Sequence, residues 1–309
     1  MSIQQPSVKH HFIPRFLLSC WALDDGRLWR FNRPVAGKIA RKLVFPAEAG
    51  YERHLYATPG VPEDRKQWLE ERFMSPLDDQ AAKAHRMLLS GRVETMPVRE
   101  RSAWSRFIMS QWFRTPDGVK SFKLAMENLL RARNELLEAR YSQIRTKGQP
   151  ETLAAWIDSM DADFMERAAM DLLRRMSDDP ANGQRLNDMQ WSVLDVAAGG
   201  RLLMSDAALQ HSEPGAFTPE GFLTMPIAPD RLFVATNRRE FTDAFHNLPA
   251  EALVKQLNDV VVKRAAAFVG AADLTMEGFI RENFGVEVNE TYIKTLADAY
   301  LADAGGKRP

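Results

Sequence analysis

A chain of 309 residues with 45% hydrophobic and 27% charged side chains has enough apolar material for a sizeable core, which excludes bulk disorder. Its 41 Lys and Arg balance 41 Asp and Glu, so the molecule as a whole exerts no attraction on a nucleic acid or a membrane surface. Cys20 is the only cysteine, which rules out an intramolecular disulfide and a thiolate-only metal site within one chain, and a reducing compartment suits it.

The first eight residues lack the apolar run of a signal peptide, and no apolar stretch approaches the roughly 20 residues needed to cross a bilayer. A cytoplasmic protein with no membrane partner is expected. The length fits one α-rich domain, with lobes at residues 1–62 (β), 63–186 (helical), 187–240 (β) and 241–309 (helical). Charge is uneven along it. Residues 1–45 hold eight Lys or Arg against Asp24 and Asp25, while residues 271–304 hold seven acids against Arg281 and Lys294. Pairing within the fold and an anionic ligand at the basic end both account for that asymmetry.

Lys9-His10-His11-Phe12-Ile13-Pro14-Arg15 sets two histidines and two cations against an apolar segment. Next, Gly26 to Asn32 alternates polar and apolar residues, the period of a half-buried strand, after the turn residues Asp24-Asp25-Gly26. Lys38 to Phe45 supplies a partner strand, and the Pro- and Gly-bearing stretch 46–62 is an irregular connection.

From Glu63 the pattern is helical. Trp68, Leu69, Arg72 and Phe73 recur at three and four, Pro76 interrupts, and residues 81–89 resume the period. A further helix starts near Pro97 and runs to Arg114, and Thr115-Pro116 caps a long one striped by Phe122, Met126, Leu129, Leu130, Leu137, Tyr141 and Ile144. Residues 151–176 are helical with a break at Asp161. Trp191 to Val196 and Arg201 to Ser205 read as a hairpin around Gly199-Gly200, with an amphipathic helix through Val196 as the alternative, and Phe222 to Ile227 and Arg231 to Thr236 are two more strands. Asn247 caps a helix with Pro249 in its first turn, and Asn289-Glu290 starts a last one. The sum is a predominantly α, α+β fold with one small mixed β element made from the N-terminus and residues 190–236.

The order of Lys9 to Leu18, Gly26 to Phe31, Tyr51 to Tyr56, Gln111-Trp112-Phe113-Arg114-Thr115-Pro116, Leu203 to Asp206, Met225 to Pro229 and Gln256-Leu257-Asn258 resembles the family catalogued as domain of unknown function 4238. The resemblance spans roughly residues 9–270. It implies an intracellular, bacterial protein with no settled activity. Family members typically read Ser-Asp-Asn-Pro where this chain has Ser205-Asp206-Ala207-Ala208, a departure that bears on any role of that loop.

Three groups of residues have the chemistry of a site. His10 and His11 point to opposite faces of an extended segment, each open to service as a metal ligand, a general base or a satisfied buried ring. The ββα spacing of a His-Asn-His nuclease is not visible, because Asn32 and His54 fall on a strand and a loop. Gln111 and Arg114, a turn apart, suit a phosphate cradle next to the helix N-terminus after Pro116; alternatively Arg114 caps carbonyls and pairs with an acid. Ser205 and Asp206 end an apolar strand, where an Asp orients a histidine, holds a cation or braces a turn. Asn258, on an apolar helical stripe, needs partners in a core network or a site wall. The Arg and Lys of residues 131–147 interleave with Glu135 and Glu138 as an ordinary solvated face does. Dinucleotide, P-loop, zinc-protease and α/β-hydrolase motifs are all absent.

The expected arrangement is therefore a polar pocket for a phosphate-bearing ligand such as a nucleic acid or nucleotide. His11 serves as general base, Arg114 stabilises negative charge, Asp206 orients the base or holds a cation, and His10, Arg15, Gln111, Ser205 and Asn258 bind substrate. No cofactor is evident and a divalent metal is left open. The rival reading is a non-catalytic interaction or regulatory protein with a buried polar network.

Overall fold

A computed structural model describes residues 8–287 except 36, 63–64, 132–134 and 214. Strand β1 (Lys9–His11) leads through Pro14, which fixes the backbone for the short helix α1 (Arg15–Leu18). Strands β2 (Leu28–Val35) and β3 (Lys38–Val44) form the predicted ribbon, and β4 (Tyr51–Arg53) returns to pair with β1.

The helical body follows. Helix α2 (Ser75–Leu89) holds Pro76 in its first turn, so the proline does not interrupt it; a π-helical turn over Glu70–Met74 carries the chain in. A proline donates no amide proton and crowds the carbonyl four residues back, and a widened turn relieves both problems. Helices α3 (Val98–Gln111), α4 (Pro116–Arg131), α5 (Glu135–Ile144), α6 (Leu153–Asp158), α7 (Phe164–Ser177) and α8 (Pro180–Asp188) come next. Thr115 Oγ1 caps α4 by accepting from Gly118 N, and Thr152 and Asp179 cap α6 and α8 in the same way. Of the stripe predicted along α4 and α5, Phe122 and Tyr141 are buried, whereas Ile144 is exposed.

The remaining elements are β5 (Gln190–Asp195), β6 (Met204–Ser205), β7 (Gln210–His211), β8 (Phe222–Ala228), β9 (Arg231–Thr236), α9 (Arg239–Asn247), α10 (Ala250–Lys263), β10 (Val269–Ala271) and α11 (Glu277–Asn283). Asn247 ends α9 instead of capping a helix, and Pro249 is the residue before α10. The helix expected from Asn289 lies outside the described residues.

Among the described residues the strands form three antiparallel sheets, not one mixed sheet: β1-β4, β3-β2-β10-β6 and β5-β9-β8-β7. β5 and β6 do not make the predicted hairpin. The backbone between them is committed elsewhere: Leu202 N donates to Pro229 O, Leu202 O accepts from Trp21 Nε1, and Leu203 N donates to Asn258 Oδ1. Gly199 also presses on the start of α10, where a Cβ would stand 2.2 Å from the Ala250 carbonyl carbon. The turn is thereby pinned to α10, and β6 leaves for the other sheet.

The helices outweigh the strands, and the fold is α+β, mostly helical. The main hydrophobic cluster runs from Phe12 and Trp21 through Leu77, Trp104, Phe107 and Met170 to Leu223, Phe233 and Phe268, joining both β regions to the helical body. Buried His85 is part of that joint: its ring stacks on Trp104 and its Nε2 donates to Ile227 O at 2.8 Å. No described helix is long and apolar enough to cross a membrane.

Candidate functional site

β1, the turn after β4, the π-helical turn with α2, and the end of α3 converge on Arg114. Its side chain is 0% exposed, so its charge must be met inside the protein. Nη1 and Nη2 donate to the two carboxylate oxygens of Asp78 at 2.7 and 2.9 Å, and Nη2 also donates to His11 O at 2.7 Å. The Arg114 carbonyl accepts from Tyr56 Oη at 2.6 Å. Burial alone would favour a neutral Asp78 carboxyl; the bidentate guanidinium opposes that, and the pair is ionised, with Asp78 holding Arg114 above its ordinary range.

The two histidines have different fates. His10 is fully buried and stacked on Tyr56. Its Nδ1 accepts from Tyr56 N at 2.8 Å, so Nε2 carries the proton and donates to Gln67 Oε1 at 2.6 Å. Gln67 in turn reaches Nδ1 of exposed His54, whose φ of 59° puts it in the left-handed region. His11 is half-buried, with its ring tilted against Tyr51 and Nε2 buried without a hydrogen-bond partner. Burial, then the Arg15 and Arg114 charges, push its imidazole down to about 4, against the Ala47 carbonyl that accepts from the ring. His11 is neutral at physiological pH, with a free lone pair on Nε2.

Glu70, on the π-helical turn, is the second unusual group. Burial raises its carboxyl to about 7, Arg114 opposes the rise and Asp78 adds to it. Ser75 Oγ donates to Oε1, while Oε2 is buried without a partner. Gln111 Nε2 and Arg114 Nε are likewise buried and unpartnered. Such orphans cost free energy and ask for an explanation wherever they occur. Four gather here: two belong to Arg114 and to Gln111 one helical turn before it, and two to residues that feel the Arg114 charge.

The other nominated residues form a separate group around α10. Ser205 Oγ donates to Val261 O and accepts from Ala207 N. Asp206 accepts three backbone N–H bonds, from Ala266, Ala267 and Phe268 at 3.0 to 3.1 Å, while burial pushes its carboxyl up to about 6. Asn258 is 1% exposed, accepts from Leu203 N and donates to Arg201 O. No hydrogen bond or ion pair joins these three to His11 or Arg114. Arg15 is exposed and acts on His11 through its charge.

Sequence reasoning missed Gln67, Glu70 and Asp78. The available signal was the position of both acids within an apolar stripe, Glu70 beside Leu69, Phe73 and Met74, and Asp78 beside Leu77 and Ala81. Among the described residues no three His, Cys, Asp or Glu side chains gather to hold a metal ion. An apolar cleft of about 240 Å³ between α3, α7 and α8, lined by Met109, Phe113, Met176 and Phe217, contains none of the ionisable groups around Arg114.

A family model described as a protein of unknown function, DUF4238, matches residues 9–274. No curated protein and no solved structure matches the chain.

Proposed function

The chain belongs to the DUF4238 family, whose description assigns no activity, and on that premise we propose that the cluster around Arg114 is the active site of a hydrolase acting on a phosphate-bearing substrate, such as a nucleic acid or nucleotide. The observation that carries the reading is that two ionisable groups, each feeling the Arg114 charge and each with a buried unpartnered atom, are pushed in opposite directions: His11 down to about 4 and Glu70 up to about 7. Groups separated in this way divide the work of base and acid.

In the proposed reaction His11 Nε2 takes a proton from water, the water oxygen attacks phosphorus, and Glu70 gives its proton to the departing alkoxide. His11 then releases its proton to solvent and Glu70 regains one. Arg15 is exposed on the side where substrate would arrive, whereas His11 Nε2 and Glu70 Oε2 are enclosed, so the reading requires the cluster to open for water and substrate to reach them. Arg114 serves chiefly by position, since Asp78 and the His11 carbonyl occupy both of its terminal nitrogens, and its charge stabilises the phosphoryl oxygens at longer range. Substrate phosphate beside Arg15 offsets one of the charges that depress His11 and so moves the imidazole toward a useful basicity.

One observation favours the rival reading of a non-catalytic interaction or regulatory protein: His10, Ser205, Asp206 and Asn258 are all engaged by backbone or side-chain partners. A single experiment separates the two. The purified chain, His11→Ala and Glu70→Gln are assayed on RNA, DNA and nucleotides, with and without Mg²⁺, Mn²⁺ and Zn²⁺. The hydrolase reading expects turnover by the wild type and losses of about 10²-fold or more in each variant. Equal inertness of all three sinks it.

A further inference from the structure

The β2–β3 ribbon carries Arg30, Arg33, Lys38, Arg41 and Lys42 between Leu28 and Val44, and no acid. Two of these cations are satisfied within the fold: Arg41 pairs with Glu277, and Arg33 lies over the Phe284 ring. Lys38 and Lys42 are exposed and make no ion pair with a described residue. Register places Arg30 directly opposite Lys42, and like charges facing each other across a ladder are unfavourable unless something negative lies over them. Arg30 uses Nη1 on the Glu48 carbonyl, while its Nε is buried without a partner.

Geometry adds to charge. Along β2, β10 reaches only Trp29–Phe31, so beyond Phe31 the ribbon is a two-stranded arm without a third strand, one face resting on α11 through Arg33, Ile39 and Arg41 and Val35 60% exposed near its tip. We propose that this arm is a binding surface for a double-stranded nucleic acid, laid against the sugar-phosphate backbone and groove. Two strands about 5 Å apart with side chains on either edge match a major groove about 12 Å wide. A single strand would need a row of exposed aromatic rings for its bases; Phe31 is buried, Trp29 is covered by the Arg41 guanidinium at 5.1 Å, and Phe45, just past β3 and 51% exposed, gives one ring and not a row. A membrane would need an apolar tip larger than one valine.

Binding by the arm stands independently of the proposed active site; only the identification of the duplex as the substrate of His11 rests on that reading. The experiment is a fluorescence-anisotropy titration of a labelled 20-base-pair duplex DNA, without divalent metal, by the full chain and two double variants. Lys38→Glu with Lys42→Glu raises Kd by tenfold or more. Lys83→Glu with Lys120→Glu, exposed helical sites with the same charge change, leaves it within twofold. For three neutralised phosphates, Kd of the wild type rises about 40-fold between 50 and 200 mM salt. Absence of binding at 20 µM protein, equal weakening by both double variants, or binding to phosphatidylserine vesicles but not to duplex each overturns the proposal. If the duplex binds but is not cleaved with or without divalent metal, its identification as the substrate of His11 fails and the arm stands.

Discussion

Arg114 and Asp78 form a two-pronged ion pair at 2.7 and 2.9 Å, with the guanidinium fully enclosed and a third bond from Arg114 to the backbone of His11. The pair therefore fixes the position of the proposed base while keeping the guanidinium out of solvent, with only the Asp78 carboxylate partly exposed.

Breaking one half of this pair leaves the other charge buried. Asp78→Ala and Arg114→Met are each expected to cost about 3–5 kcal/mol, and the double variant much less than their sum. Urea unfolding through the four-member cycle measures this; additive losses would show that the two side chains are not coupled.

Glu70 has a signed effect on stability. Its folded carboxyl titrates near 7 against about 4.5 unfolded, so the native state binds the extra proton between those values and stability falls as pH rises through that window. Relative to wild type, Glu70→Gln should gain about 1.4 kcal/mol per pH unit from pH 4.5 to 7. His11 has the opposite sign. Its folded value near 4 lies below the unfolded 6.5, so stability is complete above 6.5 and is lost as pH falls toward 4, and His11→Ala should remove that loss. Chemical denaturation at half-unit pH steps reads both slopes, and parallel profiles for variant and wild type would contradict them.

Turnover should follow the same two groups. Activity requires His11 unprotonated and Glu70 protonated, which predicts a bell with limbs near 4 and 7. Glu70→Gln should remove the alkaline limb together with most of the rate. A rate still rising above pH 8 would exclude Glu70 as the acid.

Asp206→Asn turns an amide toward a nest of three N–H donors, and a loss of about 2–4 kcal/mol follows from unpaired donors that had met a charged acceptor. Asn258→Leu leaves Leu203 N and Arg201 O without their partner and should cost a similar amount. Thermal unfolding gives both values, and a change below about 0.5 kcal/mol in either would mean that water substitutes freely.

Gly199→Ala tests the pinned turn. Its added methyl would overlap the Ala250 carbonyl carbon, so either α10 shifts or the turn opens, at a cost of about 2 kcal/mol or more. Gly183→Ala is the matched control, since its nearest contact is the flexible Met109 methyl at 3.6 Å.

What the sequence made legible was local. Period and capping residues gave the β2–β3 ribbon, the start of α3 after Pro97 and the Thr115 cap, because each depends on neighbours a few residues away. Pairings that depend on distant partners were not legible. β6 reads as half of a hairpin until Asn258 and Trp21 claim the backbone before it, and β10 is too short at three residues to announce itself. The candidate site divides in the same way. His10, His11 and Arg114 stand out as residue types, whereas Asp78 and Glu70 look like ordinary helical acids until the fold encloses them beside Arg114.

β10 lies between β2 and β6, so the inner edge of the N-terminal ribbon gains its partner only after Val269–Ala271 has been made. At synthesis rates of about 5–20 residues per second, that edge waits roughly 10–50 s on the ribosome. Arg30 within the joint and Arg33 beyond it are cations of the kind that keep an unpaired strand edge from joining another chain. The order of synthesis thus leaves the inner edge of the ribbon unpaired until residues more than two hundred positions later have been made.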